Sequence, residues 1–392
     1  MISGLYIKKF KCFEKLEISN LAPITIFGGK NNVGKSSVLE ALLLQNVFLQ
    51  PNYFAFLMNL HNEAFTKNTK PSKLWDQLFY NTYQSDDFEI RYERPSKNED
   101  NQYYEHEYGF SKKDLCVIKV KKNLNNFGVF QNGAAGSLLN QEYAADPLKQ
   151  SVYSSLHIEI DSRSYKNSGN CFIYPDGIMF YPENMKDNSV MSVNPQKGPL
   201  WPFENMVIFK NVFSNSQSTA EWLSKVNLNE EKKKILIETM KLFEPDISSI
   251  STVIDQGVSS VYVTLKSGDS EKIISANYMG DGFNKVFQLL LTVMTLPNGI
   301  LFIDEFENGL HYELYDEVLT KLFQTALALN CQIVMTTHNR DLVESALLSM
   351  KKLKAEDKLC YQRLDLVNGQ HKTVVYQGKD LELPFKANLE IR

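Results

Sequence analysis

The sequence predicts an α/β fold assembled from both ends of the chain, with a β-rich insertion and a helical lobe between them. Three observations predict it. A glycine-rich turn, Gly28–Gly34, stands between a short apolar run and a helix-like segment. Two further apolar runs, Ile300–Ile303 and Ile333–Thr336, read as strands of a parallel sheet covered on both faces. Segments with helical spacing of apolar residues separate those runs.

The elements follow in order. Residues 2–28 read as strands: Leu5 and Ile7 alternate with polar neighbours, and Ile24, Ile26 and Phe27 form an apolar run. The glycine turn leads into a helix with Val38, Leu39, Leu42 and Leu43 on its apolar side. Residues 51–200 are rich in Tyr, Asn, Phe and Ser. They carry β-like runs at Phe88–Tyr92, Leu115–Val120, Leu156–Ile160 and Cys171–Tyr174, split by polar turns such as Pro95–Gln102 and Asn167–Asn170. This is the expected inserted β-rich subdomain. Residues 201–249 are expected to form a helical lobe, since Leu236, Met240 and Phe243 recur at helical spacing and Pro245 ends the run. From residue 250 the pattern is β, helix, β, helix, β. Val261, Val263 and Leu265 alternate as a strand, and Val286–Leu296 is an apolar helix. Beyond a helix at 340–349, further β-like runs stand at Leu359–Leu366 and Lys372–Tyr376. The expected head thus comprises residues 1–50 and 250–392.

Composition narrows the function classes. The chain has 392 residues, 43% hydrophobic and 22% charged, with a formal net charge of −4, so bulk charge does not indicate nucleic-acid binding. Local basic runs exist at Lys8, Lys9 and Lys11, at Lys232–Lys234, and at Lys351, Lys352 and Lys354; charge runs of this kind are usually solvated faces. The five cysteines form no C-x-x-C pair, which argues against a cysteine-built zinc site and fits a reducing, cytoplasmic setting. No signal-peptide stretch opens the chain. The most apolar run, Val286–Ile303, is broken by Gln288, Pro297, Asn298 and Gly299, short of the roughly 20 apolar residues of a membrane span. Sustained heptads are missing, so no long coiled-coil arm is expected.

Four motifs carry chemistry. Gly29-Lys30-Asn31-Asn32-Val33-Gly34-Lys35-Ser36 fits the phosphate-binding P-loop, G-x-x-x-x-G-K-[ST], with a strand before it and a helix after it. Glycines let backbone N–H groups turn inward around phosphates, and the helix adds its positive end. Gly29, Asn31, Asn32, Gly34, Lys35, Ser36 and Ser37 are the candidate nucleotide-binding residues. Lys35 would reach the β- and γ-phosphates, and Ser36 would ligate Mg²⁺. The second motif, Gly299–Glu305, is an apolar strand ending in paired acids. Asp304 would support Mg²⁺ and Glu305 would polarise the attacking water. Third, His338 follows Thr337 after a sheet strand, where an imidazole can hydrogen-bond a γ-phosphate. The fourth is Gly280-Asp281-Gly282 at a helix start, either a plain cap or a second phosphate cradle.

Together and in this order, the four resemble the ATP-binding-cassette (ABC) superfamily, closest to the SMC-like and OLD-like (overcoming-lysogenization-defect) branch of AAA-type ATPases. The resemblance covers residues 1–45 and 255–350. It is carried by Phe10, Lys11 and Phe13, by GGKNNVGKSSVLEAL, by FIDEFENGLH running into a D-loop at Glu307–His311, and by TTHNRDL. It implies ATP hydrolysis with Mg²⁺ and a homo-oligomer that is at least an ATP-dependent dimer. In that dimer Gly280, Asp281 and Gly282 would face the γ-phosphate held by the other copy. The chain departs from transporter-type signatures in having Gly280 where they carry serine. OLD nucleases carry a Toprim domain after the cassette. The segment 339–392 is too short for one, and the resemblance therefore implies a cassette without its nuclease.

Two roles follow from the resemblance. In the first, the chain is the sensor or ATPase subunit of a bacterial anti-phage defence system, with a separate effector protein, a nuclease or toxin. In the second, it is a DNA-repair ATPase of the short armless recombination-mediator type, which would need a basic stripe across the dimer cleft.

Overall fold

A computed structural model describes residues 1–44, 77–80, 87–93, 115–123, 155–161, 166–174, 177–182, 206–209, 216–255 and 258–382. From the N-terminus come β1 (Gly4–Phe10), β2 (Phe13–Ile18), β3 (Ile24–Gly28) and α1 (Lys35–Leu43). Five strands follow: β4 (Asp87–Glu93), β5 (Leu115–Asn123), β6 (Ser155–Asp161), β7 (Lys166–Tyr174) and β8 (Gly177–Pro182). Then come β9 (Met206–Phe209), α2 (Ser216–Asn227), α3 (Glu230–Met240), β10 (Ile247–Asp255), β11 (Val258–Ser267) and β12 (Ser270–Ser275). The C-terminal part adds α4 (Asp281–Met294), β13 (Ile300–Ile303), α5 (Tyr315–Ala328), β14 (Gln332–Thr336), α6 (Arg340–Lys352), β15 (Leu359–Val367) and β16 (Gln370–Gln377).

The central sheet has the order β16-β15-β3-β14-β13-β9. Every pair in it is parallel except β15–β16. Strand side chains alternate between faces, so each central strand feeds two cores. Ile24, Ile26, Leu301, Ile303, Ile333 and Met335 join the core covered by α4, α5 and α6. Phe27, Ile300, Phe302, Val334 and Leu364 join a second core with Val38, Leu39 and Leu42 of α1 and with Ile7, Phe10 and Ile90. Both faces being covered explains why these strands read as continuous apolar runs. The fold is α/β, a largely parallel central sheet covered by helices, with a β-rich addition.

The second sheet is antiparallel, in the order β2-β1-β4-β5-β6-β7-β8. β4 pairs directly with β1, Leu5 opposite Tyr92 and Ile7 opposite Ile90, so the strands of the 51–200 stretch extend a sheet begun at the N-terminus. A third, three-stranded sheet runs β10-β11-β12.

Two expectations are corrected. The 201–249 stretch is not all helical: β9 pairs in parallel with β13, Met206 opposite Ile300 and Phe209 opposite Ile303. A short apolar run has no period that separates strand from helix. Asn167–Asn170 is not a turn but lies within β7, where backbone pairing to β6 and β8 carries a polar stretch through the sheet. The other expected turn, Pro95–Gln102, lies outside the described residues.

Candidate functional site

β3 and β13 are separated by β14, so the P-loop, the paired acids and Thr337–His338 all leave the same end of adjacent parallel strands. That edge is where ligands bind in parallel α/β sheets.

The P-loop wraps the start of α1. Gly34 takes φ +92°, and a Cβ there would sit 2.5 Å from the Phe13 ring and 2.6 Å from the Cys12 sulfur. Both partners come from the tight β1–β2 turn, so the hairpin and the loop are fitted to each other. α1 begins without a side-chain cap and without an acid in its first turn. Its first N–H groups are thus left for an anion. By contrast, α6 is capped by the Asn339 side chain, which accepts from the Asp341 N–H.

Lys35 bridges the loop, its Nζ donating to the Gly29 and Lys30 carbonyls at 2.9 Å each. Burial pushes its ammonium below the usual lysine range, against the opposing pull of Glu307, Glu305 and Asp304. The Ser36 hydroxyl donates to Asp304 Oδ1 at 3.0 Å. The same oxygen accepts from Thr336 Oγ1 at 2.6 Å, and Thr336 Oγ1 in turn accepts the Glu305 N–H at 2.9 Å. Asp304 is buried at 7% exposure. Among the described residues no three His, Cys, Asp or Glu side chains are arranged to hold a metal. A hydroxyl and one carboxylate side by side nevertheless fit Mg²⁺, which takes one or two protein oxygens plus phosphate and water.

Glu305 occupies a left-handed conformation, φ +50°, uncommon for a non-glycine residue. Its Oε2 accepts from Asn308 Nδ2 at 2.6 Å. Glu307 is buried, and its Oε1 accepts the His338 N–H at 2.8 Å and lies 2.8 Å from His338 Nδ1. Its Oε2 is buried without a hydrogen-bond partner. The His338 ring is half exposed, 49%, with Nε2 on the side away from Glu307.

The expected site residues divide into two groups. Lys35, Ser36, Asp304 and Glu305 are brought together by direct hydrogen bonds or charge contacts, and His338 joins them through Glu307. Ser37 hydrogen-bonds Cys12 behind the loop, while Asn31 and Asn32 are exposed at its tip. Gly280, Asp281 and Gly282 do start α4, but they pack elsewhere: a Cβ on Gly282 would lie 2.7 Å from the Gly309 carbonyl, and Gly280 faces open space. The sequence reading missed Thr336 and Lys285, and it named Glu307 and Asn308 only as the start of a D-loop, without their contacts to His338 and Glu305. Glu307 stood inside FENGLH and could have been found as an acid two residues past the pair. Lys285 stands just before the apolar run at Val286, and only the fold shows what it touches.

Two AAA family models match the chain. Residues 1–172 match one described as "AAA ATPase domain". Residues 199–344 match one described as "AAA domain, putative AbiEii toxin, Type IV TA system". An "ATP/GTP phosphatase" of Helicobacter pylori is 22% identical over 398 residues, covering 98% of each chain. The "Uncharacterized protein MJECL11" of Methanocaldococcus jannaschii is 33% identical over 90 residues, 22% of this chain and 76% of that one. Among solved structures, an Smc head bound to the C-terminal winged-helix domain of ScpA aligns at a TM-score of 0.45 and 12% identity, over 96% of this chain and 98% of that one. The P-loop lies in the first matched stretch and the paired acids in the second, and the chain, similar in both to AAA ATPase domains, is an ATPase.

Proposed function

We propose that this ATPase works as an ATP-gated head dimer, the sensor or ATPase subunit of a bacterial anti-phage defence system with a separate effector. The observation that carries the dimer is the placement of Gly280–Gly282. It is a glycine-started helix end, open in front of Gly280 and braced from behind by Gly309. A phosphate cradle so placed is complete only when a second copy presents its nucleotide. The toxin–antitoxin wording of the C-terminal family supports the defence setting. The phosphatase name of the full-length relative supports turnover of nucleoside triphosphate.

In this reading Lys35 leaves the Gly29 and Lys30 carbonyls for the β- and γ-phosphates as ATP enters. Ser36 and Asp304 hold Mg²⁺, which when bound neutralises charge on those phosphates. Glu305 releases Asn308 and takes a proton from the attacking water. His338, its Nδ1 engaged by Glu307, offers Nε2 to the γ-phosphate. No helix among the described residues is long and apolar enough to cross a membrane, and we place the protein in the cytoplasm.

The DNA-repair alternative draws less support. Its basic runs are largely matched by acids or carbonyls. Lys9 pairs with Asp87, Lys11 with Glu40, Lys233 with Glu230, Lys234 with Glu238, Lys351 with Glu382 and Lys352 with Asp316. Lys232 donates to the Met294 carbonyl.

The test is the light-scattering mass of the Glu305→Gln protein with and without ATP and Mg²⁺. An ATP-dependent doubling supports the sandwich dimer, and a mass that stays monomeric overturns it. The defence role is tested by plaque counts on cells expressing the chain with its genomic neighbours. Unchanged plaque numbers across a phage panel would sink that role.

A further inference from the structure

Lys285 sits on the second turn of α4, in the helix that Gly280–Gly282 begins. It is 8% exposed. Its Nζ donates to three backbone carbonyls of one turn: Glu305 at 3.2 Å, Phe306 at 2.9 Å and Asn308 at 2.7 Å. The helix thus grips the turn that carries the water-polarising acid, and it grips the backbone of Glu305 itself. A second contact lies one turn earlier, where Gly282 closes on the Gly309 carbonyl. The start of α4 and the segment 305–309 therefore form one braced unit.

The brace acts on a residue that needs holding. Glu305 has φ +50°, a strained conformation for a non-glycine residue that persists only where neighbours fix it. Burying an ammonium is costly too, unless donors and charges are matched. Three carbonyls and the nearby Glu305 and Glu307 carboxylates supply that match here. A plain core position at this point of an apolar helix would be filled by Leu or Met, with no such desolvation.

We infer that Lys285 is a positioning residue that couples the two nucleotide sites of the dimer, tying the Gly280–Gly282 cradle of one copy to that copy's own Glu305. This rests on the sandwich reading above. In that dimer the cradle touches the γ-phosphate bound by the partner, while Glu305 serves the nucleotide on its own P-loop. A pull on the start of α4 is passed through Lys285 to the 305–308 turn. Binding at one site thereby sets the glutamate of the other. Lys285 itself touches no substrate.

The test compares wild type with Lys285→Met in the full chain, reading ATP hydrolysis against ATP concentration, binding of a fluorescent ATP analogue, and melting temperature. Wild type is expected to show a Hill coefficient approaching 2 for hydrolysis. In Lys285→Met the coefficient falls to 1 and kcat drops roughly tenfold, with the analogue's Kd within about twofold of wild type. A purely structural lysine would leave the Hill coefficient unchanged. A wild-type Hill coefficient of 1, or an unaltered coefficient and kcat in the variant, overturns the inference. Lys285→Gln, which still donates to two carbonyls without charge, is read the same way if Lys285→Met does not fold. The mass of Glu305→Gln with ATP separates the two readings. A monomer there removes the dimer and the coupling together, whereas a dimer with unchanged Lys285→Met kinetics removes only the coupling.

Discussion

Glu307 holds His338 at two points through one oxygen: Oε1 accepts the backbone N–H at 2.8 Å and lies 2.8 Å from Nδ1. The carboxylate thus fixes both the position of the residue and the direction of its ring. With Nδ1–H given to Glu307, Nε2 is the nitrogen presented outward. Replacing Glu307 by Gln keeps the shape but removes the charge and lets the amide offer N–H to Nδ1. The expected result is roughly a tenfold loss of kcat with ATP affinity little changed, since misoriented general acid–base partners cost in this range or more. Steady-state kinetics beside analogue binding checks it, and a parallel fall of both would show that Glu307 only supports the fold.

In the proposed mechanism Glu305→Gln removes the proton acceptor while keeping the side chain's shape. Hydrolysis should fall about 10²- to 10⁴-fold while ATP binding persists. Phosphate release at saturating ATP measures this. Turnover within a few-fold of wild type would mean that another group takes the proton.

Lys35→Met should abolish ATP binding at concentrations that saturate wild type, because a half-buried cation that now rests on the Gly29 and Lys30 carbonyls is lost to the phosphates. Melting temperature without nucleotide should change little, and the stabilisation that ATP gives wild type should vanish. Thermal melts with and without ATP read both effects.

Lys285 also marks the pH dependence of stability. Burial is the main cause that lowers its ammonium from 10.5 to about 8, opposed by Glu307 and Glu305. Between about pH 8 and 10.5 the unfolded chain holds the proton that the folded chain has released. Unfolding free energy from this group therefore rises with pH across that window. Below pH 8 the folded state bears the full cost of the buried charge. Wild type should gain melting temperature relative to Lys285→Met as pH goes from 8 to 10, and a difference that is flat or shrinks there contradicts the assignment.

Phe302 is fully buried between β14 and β9, in the core under α1. Phe302→Ala should cost about 3–5 kcal/mol of stability. Denaturant unfolding checks it, and the adjacent Asp304 makes a loss of hydrolysis at lower temperature expected as well.

Much of this architecture was legible in the sequence because its physics is local. A P-loop needs glycines and a lysine at fixed spacing, and a doubly covered strand such as Ile300–Ile303 must be apolar throughout. β9 was not legible, because Met206–Phe209 becomes a strand only by pairing with β13. The joining of β4 to β1 was equally hidden, since register is set by partners far along the chain. Thr336 and Lys285 escaped for a related reason. Neither residue type signals a role until the fold brings it to Asp304 or to the Glu305 carbonyl.

The Gln332 side chain exchanges hydrogen bonds with both the N–H and the carbonyl of Ile2, 330 residues away, and β3 finds its two neighbours only in β14 and β15. On the ribosome the P-loop is therefore made early and supported late. Until β14 and β15 emerge, β3 has two open edges, and the nascent loop has no scaffold to shape it around a phosphate. Nucleotide capture becomes a property of the finished polypeptide, and a truncated product stopping before residue 333 would carry the full P-loop motif yet stay inert toward ATP.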